Sequence, residues 1–156
     1  MESLTREEAL EVLASEPVAH LGVVEDGSPY VTPMSFVVVE ERRILFRTMA
    51  GRKLDGLRAN PSVCVEVSRF DAETGDWVSV IVTGTARLVE EQHLKEEVVA
   101  HLFDKYQHVM GSPLAGSTGV LPLGAEPYVI EVPIDSISGM SSGQSIGHLR
   151  TKPGRL

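Results

Sequence analysis

Cysteine is almost missing from this chain: Cys64 stands alone among 156 residues. A single thiol closes no internal disulfide and cannot supply a cysteine-rich metal centre. Aromatic residues are few, at 5%, and no apolar run approaches the roughly 20 residues that a membrane helix needs. Cations are outnumbered, 14 Lys and Arg against 22 Asp and Glu, leaving a net charge of −8. Nucleic acid and anionic membranes are bound through broad basic surfaces, so neither is expected as the main partner. There is no internal repeat, and no hydrophobic leader follows Met1, so a cytoplasmic protein is expected.

Hydrolytic and metal signatures are missing too. No G-x-S-x-G elbow is present, and the acidic residues are spread without a distinctive pairing. His93, His101 and His108 are eight and seven residues apart, so no two sit on adjacent helical turns, and no metal site is expected. His148 lies in the tail, and His20 reads as a satisfied core or edge histidine with no visible carboxylate partner. No residue stands out as a catalytic acid, base or nucleophile. If the chain is an enzyme, its chemistry belongs to a bound cofactor.

What is present suits one domain over residues 1–140, followed by a tail over 141–156, with 42% hydrophobic residues to build a core. Thr5-Arg6-Glu7-Glu8 matches a capping box for a helix that ends before Pro17, with Leu4, Ala9, Val12 and Leu13 as its apolar face. Val18 to Glu25 and Tyr30 to Glu40 read as strands joined by the turn Asp26-Gly27-Ser28-Pro29, and Arg43 to Thr48 as a third. A short helix from Gly51 to Asn60 follows, stopped by Pro61. Ser62 to Phe70 and Trp77 to Val89 are two more strands, the second with a bulge or bend at Gly84. Cys64, among Val63, Val65 and Val67, reads as a buried structural thiol. Glu90 to Met110 is expected as a helix buried through Leu94, Val98, Leu102, Phe103 and Tyr106. Gly111 to Gly124 reads as a loop, Pro127 to Val132 as the sixth strand, and Ile134 to Gly139 as its extension. Long bent antiparallel strands with short helices suit a barrel.

One charge placement asks for an explanation. Arg52 and Lys53 occupy the first turn of the Gly51 helix, where unpaired N–H groups carry the positive end of the macrodipole. Two cations there add repulsion of roughly 0.3–1 kcal/mol each, which an anion would relieve. A preceding glycine and the Thr48 hydroxyl make the corner suitable for a phosphate. Charge alone leaves the matter open, because Lys and Arg are common on solvated helices and the stretch is not a Walker-type loop.

The order of the segments adds weight. Tyr30-Val31-Thr32-Pro33-Met34-Ser35-Phe36, then Phe46-Arg47-Thr48-Met49-Ala50-Gly51-Arg52-Lys53-Leu54, then Leu57-Arg58-Ala59-Asn60-Pro61-Ser62-Val63, then Ser79 to Leu88, resembles the pyridoxamine 5′-phosphate oxidase-like flavin-binding split barrels. It is similar especially to their small nitroimidazole-resistance-like members. The resemblance implies a mainly β fold, a six-stranded antiparallel split β-barrel, working as a homodimer with FMN in two clefts between subunits. It implies that Arg52 and Lys53 grip the FMN phosphate and that Arg47, Thr48, Met49 and Gly51 line the phosphate and ribityl chain. Val31, Thr32, Pro33 and Met34 then run beside the isoalloxazine ring, and Ser79 faces it. Trp77 is a further candidate, with barrel-end packing or dimer burial weighed equally against stacking near the flavin. Where vitamin B6 oxidases of this group carry arginine and glutamine, this chain has Val31 and Ser79, and vitamin B6 oxidation is not expected. The expected activity is FMN-dependent oxidation or reduction of a small organic molecule. The alternatives are the same fold binding F420 or haem, a non-catalytic flavin carrier or redox sensor, and a ligand-free dimer.

Overall fold

In the computed structural model, residues 1–110 and 127–143 are described, except for the side chains of 108–110. In chain order the elements are β1 (Glu2–Ser3), α1 (Arg6–Ser15), β2 (Ala19–Glu25), β3 (Ser28–Met34), β4 (Phe36–Val39) and β5 (Arg43–Thr48). They continue with α2 (Arg52–Ala59), β6 (Ser62–Phe70), β7 (Trp77–Thr85), β8 (Arg87–Leu88), α3 (Gln92–Met110), β9 (Tyr128–Pro133) and β10 (Ser136–Ser141). The strands form two antiparallel sheets, one ordered β1-β10-β7-β6-β2-β3 and the other β4-β5-β9-β8. Their inner faces share one core that includes Leu21, Phe36, Ile44, Phe46, Val65, Val80 and Ile130. This is the split-barrel arrangement, mainly β, that the sequence leads one to expect.

Local chemistry sets the first elements. The Thr5 hydroxyl accepts from the Glu8 backbone N–H at 3.2 Å and the Glu8 carboxylate accepts from the Thr5 N–H at 2.9 Å, so the capping box forms as written. The β2–β3 hairpin turns on Asp26 and Gly27, both with positive φ, at 48° and 74°. That is the backbone sign which matches the twist of paired strands. At the C-terminal end of α1, Glu16 is buried in an ion pair with Arg69, and the Arg69 Nε donates to its Oε1 at 2.6 Å.

Several boundaries differ from the sequence reading. Tyr30 to Glu40 is not one strand: it breaks at Ser35, so that β3 edges one sheet and β4 the other. The switch point is pinned by Tyr106, whose hydroxyl accepts from the Phe36 N–H at 3.0 Å and donates to the Pro17 carbonyl at 2.7 Å. The run from Trp77 breaks at Ala86 rather than Gly84, because the Ala86 N–H turns to the Pro61 carbonyl at 2.8 Å. Gly84 stays in β7, where an added Cβ would lie 2.9 Å from the Pro133 carbonyl oxygen. Ile134 to Gly139 does not extend β9; β10 crosses to the other sheet and pairs with β7 and β1. Ser141, placed in the tail by sequence, ends β10 and is buried, while residues 144–156 and the loop Gly111 to Gly124 fall outside the described residues. Cys64 is exposed, not buried, since it shares the outward phase of β6 with Glu66 and Ser68. Phe103 is 40% exposed, while Leu94, Val98, Leu102 and Tyr106 join Val37, Leu45 and Val129 in a second core beneath α3. Among the described residues no helix is long and apolar enough to cross a membrane.

Candidate functional site

The Arg52/Lys53 corner is built by α2 docking on β2. Leu54 and Leu57 are buried, and Gly56 allows the close approach: a Cβ there would meet the Val24 carbonyl oxygen at 3.0 Å and the Val23 side chain at 3.2 Å. Gly51 offers α2 no side-chain cap. The Leu54 and Asp55 N–H groups both turn to the Gly51 carbonyl, at 2.9 and 3.3 Å, while the N–H groups of Arg52 and Lys53 have no backbone acceptor among the described residues. The two cations differ in their surroundings. The Arg52 Nε donates to Glu25 at 2.7 Å, and the guanidinium lies 4.5 Å from the Tyr30 ring centre. This bond raises the proton affinity of Arg52 and holds the Glu25 carboxyl below its ordinary range. Lys53 has no ion pair among the described residues.

The preceding residues are placed differently. Arg47 shares the outward phase of β5 with Leu45 and faces α3, where it lines a cavity of about 200 Å³ with Gln92, Lys95, Glu96, Val99, Pro127 and Val129. Its Nε is buried without a hydrogen-bond partner among the described residues, and burial lowers the proton affinity of the guanidinium. Arg47 and Arg52 thus diverge, one towards α3 and the other towards the β2–β3 hairpin. Thr48 and Met49 are half-buried, and the Thr48 hydroxyl donates to the Met49 carbonyl at 3.3 Å.

Along β3 the alternation divides the four candidates. Val31, 60% exposed, and Pro33 face outward, whereas Thr32 lies opposite the buried Leu21 and Met34 belongs to the core. Any contact of Met34 with a ligand therefore comes from its backbone. Trp77 and Ser79 share the outer face of β7. Trp77 lies opposite Phe70, and its backbone exchanges bonds with Ser142, at 3.3 and 3.0 Å. Ser79 donates to Glu66 Oε1 at 3.2 Å, and Glu66 Oε2 lies 3.0 Å from His20 Nδ1. His20 thus has the carboxylate partner that the sequence reading missed. The signal lay in the alternation, which puts His20 and Glu66 on outward phases, but only the β2–β6 register brings them opposite. Among the described residues no cluster of three or more His, Cys, Asp or Glu side chains could hold a metal.

Residues 5–140, from the cap of α1 into β10, match the family model of pyridoxamine 5′-phosphate oxidase. The chain belongs to that family. A stretch of 81 residues is 36% identical to an uncharacterized protein of Rhizobium meliloti (strain 1021); it covers 52% of this chain and 52% of that one, so the match spans about half the length of each. Among solved structures, a FAD-binding protein from Mesorhizobium loti superposes with a TM-score of 0.70 at 22% identity, over 90% of this chain and 95% of the other. The FAD-binding protein from Mycobacterium smegmatis gives a TM-score of 0.63 at 26% identity, over 90% and 97%.

Proposed function

We propose that this member of the pyridoxamine 5′-phosphate oxidase family is a flavin-dependent oxidoreductase, with FMN as cofactor and a small organic molecule as substrate. The observation that carries the reading is the uncapped start of α2, where among the described residues the Arg52 and Lys53 N–H groups have no backbone acceptor and the Lys53 ammonium, 3.9 Å from where a Gly51 Cβ would lie, has no ion pair. A phosphate fits there: the N–H groups and the macrodipole favour an anion, and Arg52 can exchange its Glu25 partner for a phosphate oxygen. Lys53, Arg52 and the Gly51 backbone would hold the phosphate, with Thr48 and Met49 beside the sugar chain. Val31, Pro33, Ser79 and Trp77 present the surface available to a ring. Arg47, turned to the cavity against α3 and away from Arg52, is given no part in holding the phosphate here. When bound, the flavin supplies two-electron transfer; the protein supplies position and electrostatics.

The same outward face supports a homodimer. Val31 and Ile81 are 60% and 44% exposed on a face that also presents Cys64, and apolar surface of this kind is what subunits cover. A flavin held between two such faces would be shielded from water on both sides.

The test is the visible spectrum and released cofactor of purified protein, followed by titration with FMN, FAD, F420 and haem. FMN is expected to bind, and the double variant Arg52→Ala/Lys53→Ala to bind it about 100-fold or more weakly while keeping its circular dichroism. Two charge-assisted hydrogen bonds at about 1.5–3 kcal/mol each set that scale. Undiminished affinity in the double variant would refute the phosphate role, and uptake of F420 or haem in preference to FMN would replace the cofactor. A non-catalytic carrier would bind FMN yet show no acceptor-specific turnover after anaerobic reduction.

A further inference from the structure

The outer face of the six-stranded sheet carries a polar array on an otherwise uncharged surface. On the outward positions of β2, β3, β6, β7 and β10, His20 and Glu66 are the only charged or chargeable side chains apart from the Cys64 thiol. They lie side by side in one cross-strand row, Pro33–His20–Glu66–Ile81, with Val31–Gly22–Cys64–Thr83 as the next. A lone carboxylate would be costly once such a face is covered, unless bonded. Here both oxygens are engaged, Oε2 with His20 Nδ1 at 3.0 Å and Oε1 with the Ser79 hydroxyl at 3.2 Å. An ionised carboxylate offers only lone pairs, so His20 Nδ1 carries the hydrogen in this bond and Nε2 is the free acid–base atom. Nε2 has no partner among the described residues, and the His20 side chain is 45% exposed.

We propose that His20 is the proton donor of the redox site, with Glu66 and Ser79 as positioning residues; this rests on the flavin reading above. Pro33 and Ser79, two of the positions expected beside the ring, flank the array. An acceptor that takes a hydride from a reduced flavin gains two electrons and one hydrogen and is left with one extra negative charge. The Nε2–H bond of the imidazolium breaks, a new bond to hydrogen forms at the acceptor's anionic atom, and solvent returns a proton to Nε2. Glu66 keeps the Nδ1 hydrogen throughout and offsets the ring's positive charge. The ionisable groups facing His20 are Glu66 and Cys64, both on β6; β3 presents only Val31 and Pro33. Glu66 in turn acts on Glu16 of the buried Glu16–Arg69 pair.

The experiment has one arm without flavin and one with it. In flavin-free protein, nitrogen-detected NMR of His20 is expected to show the Nδ1–H tautomer in the neutral ring, and Glu66→Gln to lose that preference. An Nε2–H tautomer in the unsubstituted protein overturns the proposal. In the second arm, FMN-loaded protein is photoreduced and mixed with menadione in a stopped-flow instrument. Menadione becomes the hydroquinone monoanion on taking hydride and the hydroquinone on taking the His20 proton. His20→Gln is expected to keep FMN affinity within about threefold, to slow reoxidation about 100-fold, and to abolish the fall in rate with rising pH. Glu66→Gln is expected to slow the reaction about tenfold, and Ser79→Ala less. An unchanged rate and pH profile in His20→Gln, with FMN bound, overturns this proposal alone. Failure of the unsubstituted protein to take up FMN overturns the flavin reading and the proposal with it.

Discussion

Lys105 offers a direct measurement of how the interior of this fold treats charge. Its ammonium sits 3.5 Å from the centre of the Phe36 ring, beneath α3, and has no hydrogen-bond partner among the described residues. Burial pulls its pKa from 10.5 down to about 7, because desolvation outweighs the attraction of Glu16. A depression from 10.5 to about 7 is about 3.5 units. At 1.36 kcal/mol per unit this is a penalty of about 5 kcal/mol for keeping the amine charged, reduced to about 3 if contact with the Phe36 ring returns about 2 kcal/mol. The sign follows from proton counting. Between pH 7 and 10.5 the unfolded chain binds the proton more often than the folded one, so stability rises with pH across that window. It is lost as pH falls towards 7, and below that the penalty is complete. Lys105→Met removes the group while keeping much of its volume. The variant is therefore expected to be more stable than the unsubstituted chain by about 3–5 kcal/mol near pH 6, with the gain vanishing towards pH 10.5. Urea unfolding midpoints at half-unit steps of pH measure this. Parallel curves for the two proteins would refute the reasoning.

Further outcomes follow from other contacts. Glu25→Gln frees Arg52 from its carboxylate, and because this pair is exposed and weak, FMN is expected to bind only about two- to fivefold more tightly by fluorescence titration. Arg69→Ala leaves the Glu16 carboxylate buried beside Ser15 without its partner, and chemical denaturation should show a loss of about 3–5 kcal/mol. Burial already raises the Glu16 pKa, so this loss should shrink as pH falls and the carboxyl takes up its proton. Gly56→Val drives a branched side chain against the Val24 carbonyl, so α2 is expected to shift from β2 at a cost of about 1–3 kcal/mol, weakening FMN binding with Arg52 and Lys53 still present.

The elements that sequence reasoning recovered are those whose causes are local. A capping box needs four adjacent residues, and the hairpin needs only Asp26 and Gly27 to accept positive φ. The uncapped α2 start with two cations was equally visible, since helix polarity follows from chain direction. Cys64 shows a signal misread: its neighbours alternate, and its phase matches Glu66 and Ser68 rather than Val63 and Val65. The break at Ser35 had no such signal. Val37 and Val39 continue the alternation of β3, and what parts the two strands is the hydroxyl of Tyr106, 70 residues away from Phe36.

The sequence by itself therefore determined most of the segments, their capping and turns, and the placing of two cations at the uncapped start of α2, because these depend on neighbours within a few residues. Only the tertiary structure decided which sheet each strand joins and that Arg47 and Arg52 part company. It also decided that Lys105 is buried and that His20, Glu66 and Ser79 meet on one face. The reason is register: a strand's alternation says which residues share a face, but only its pairing with a distant strand says which of them touch.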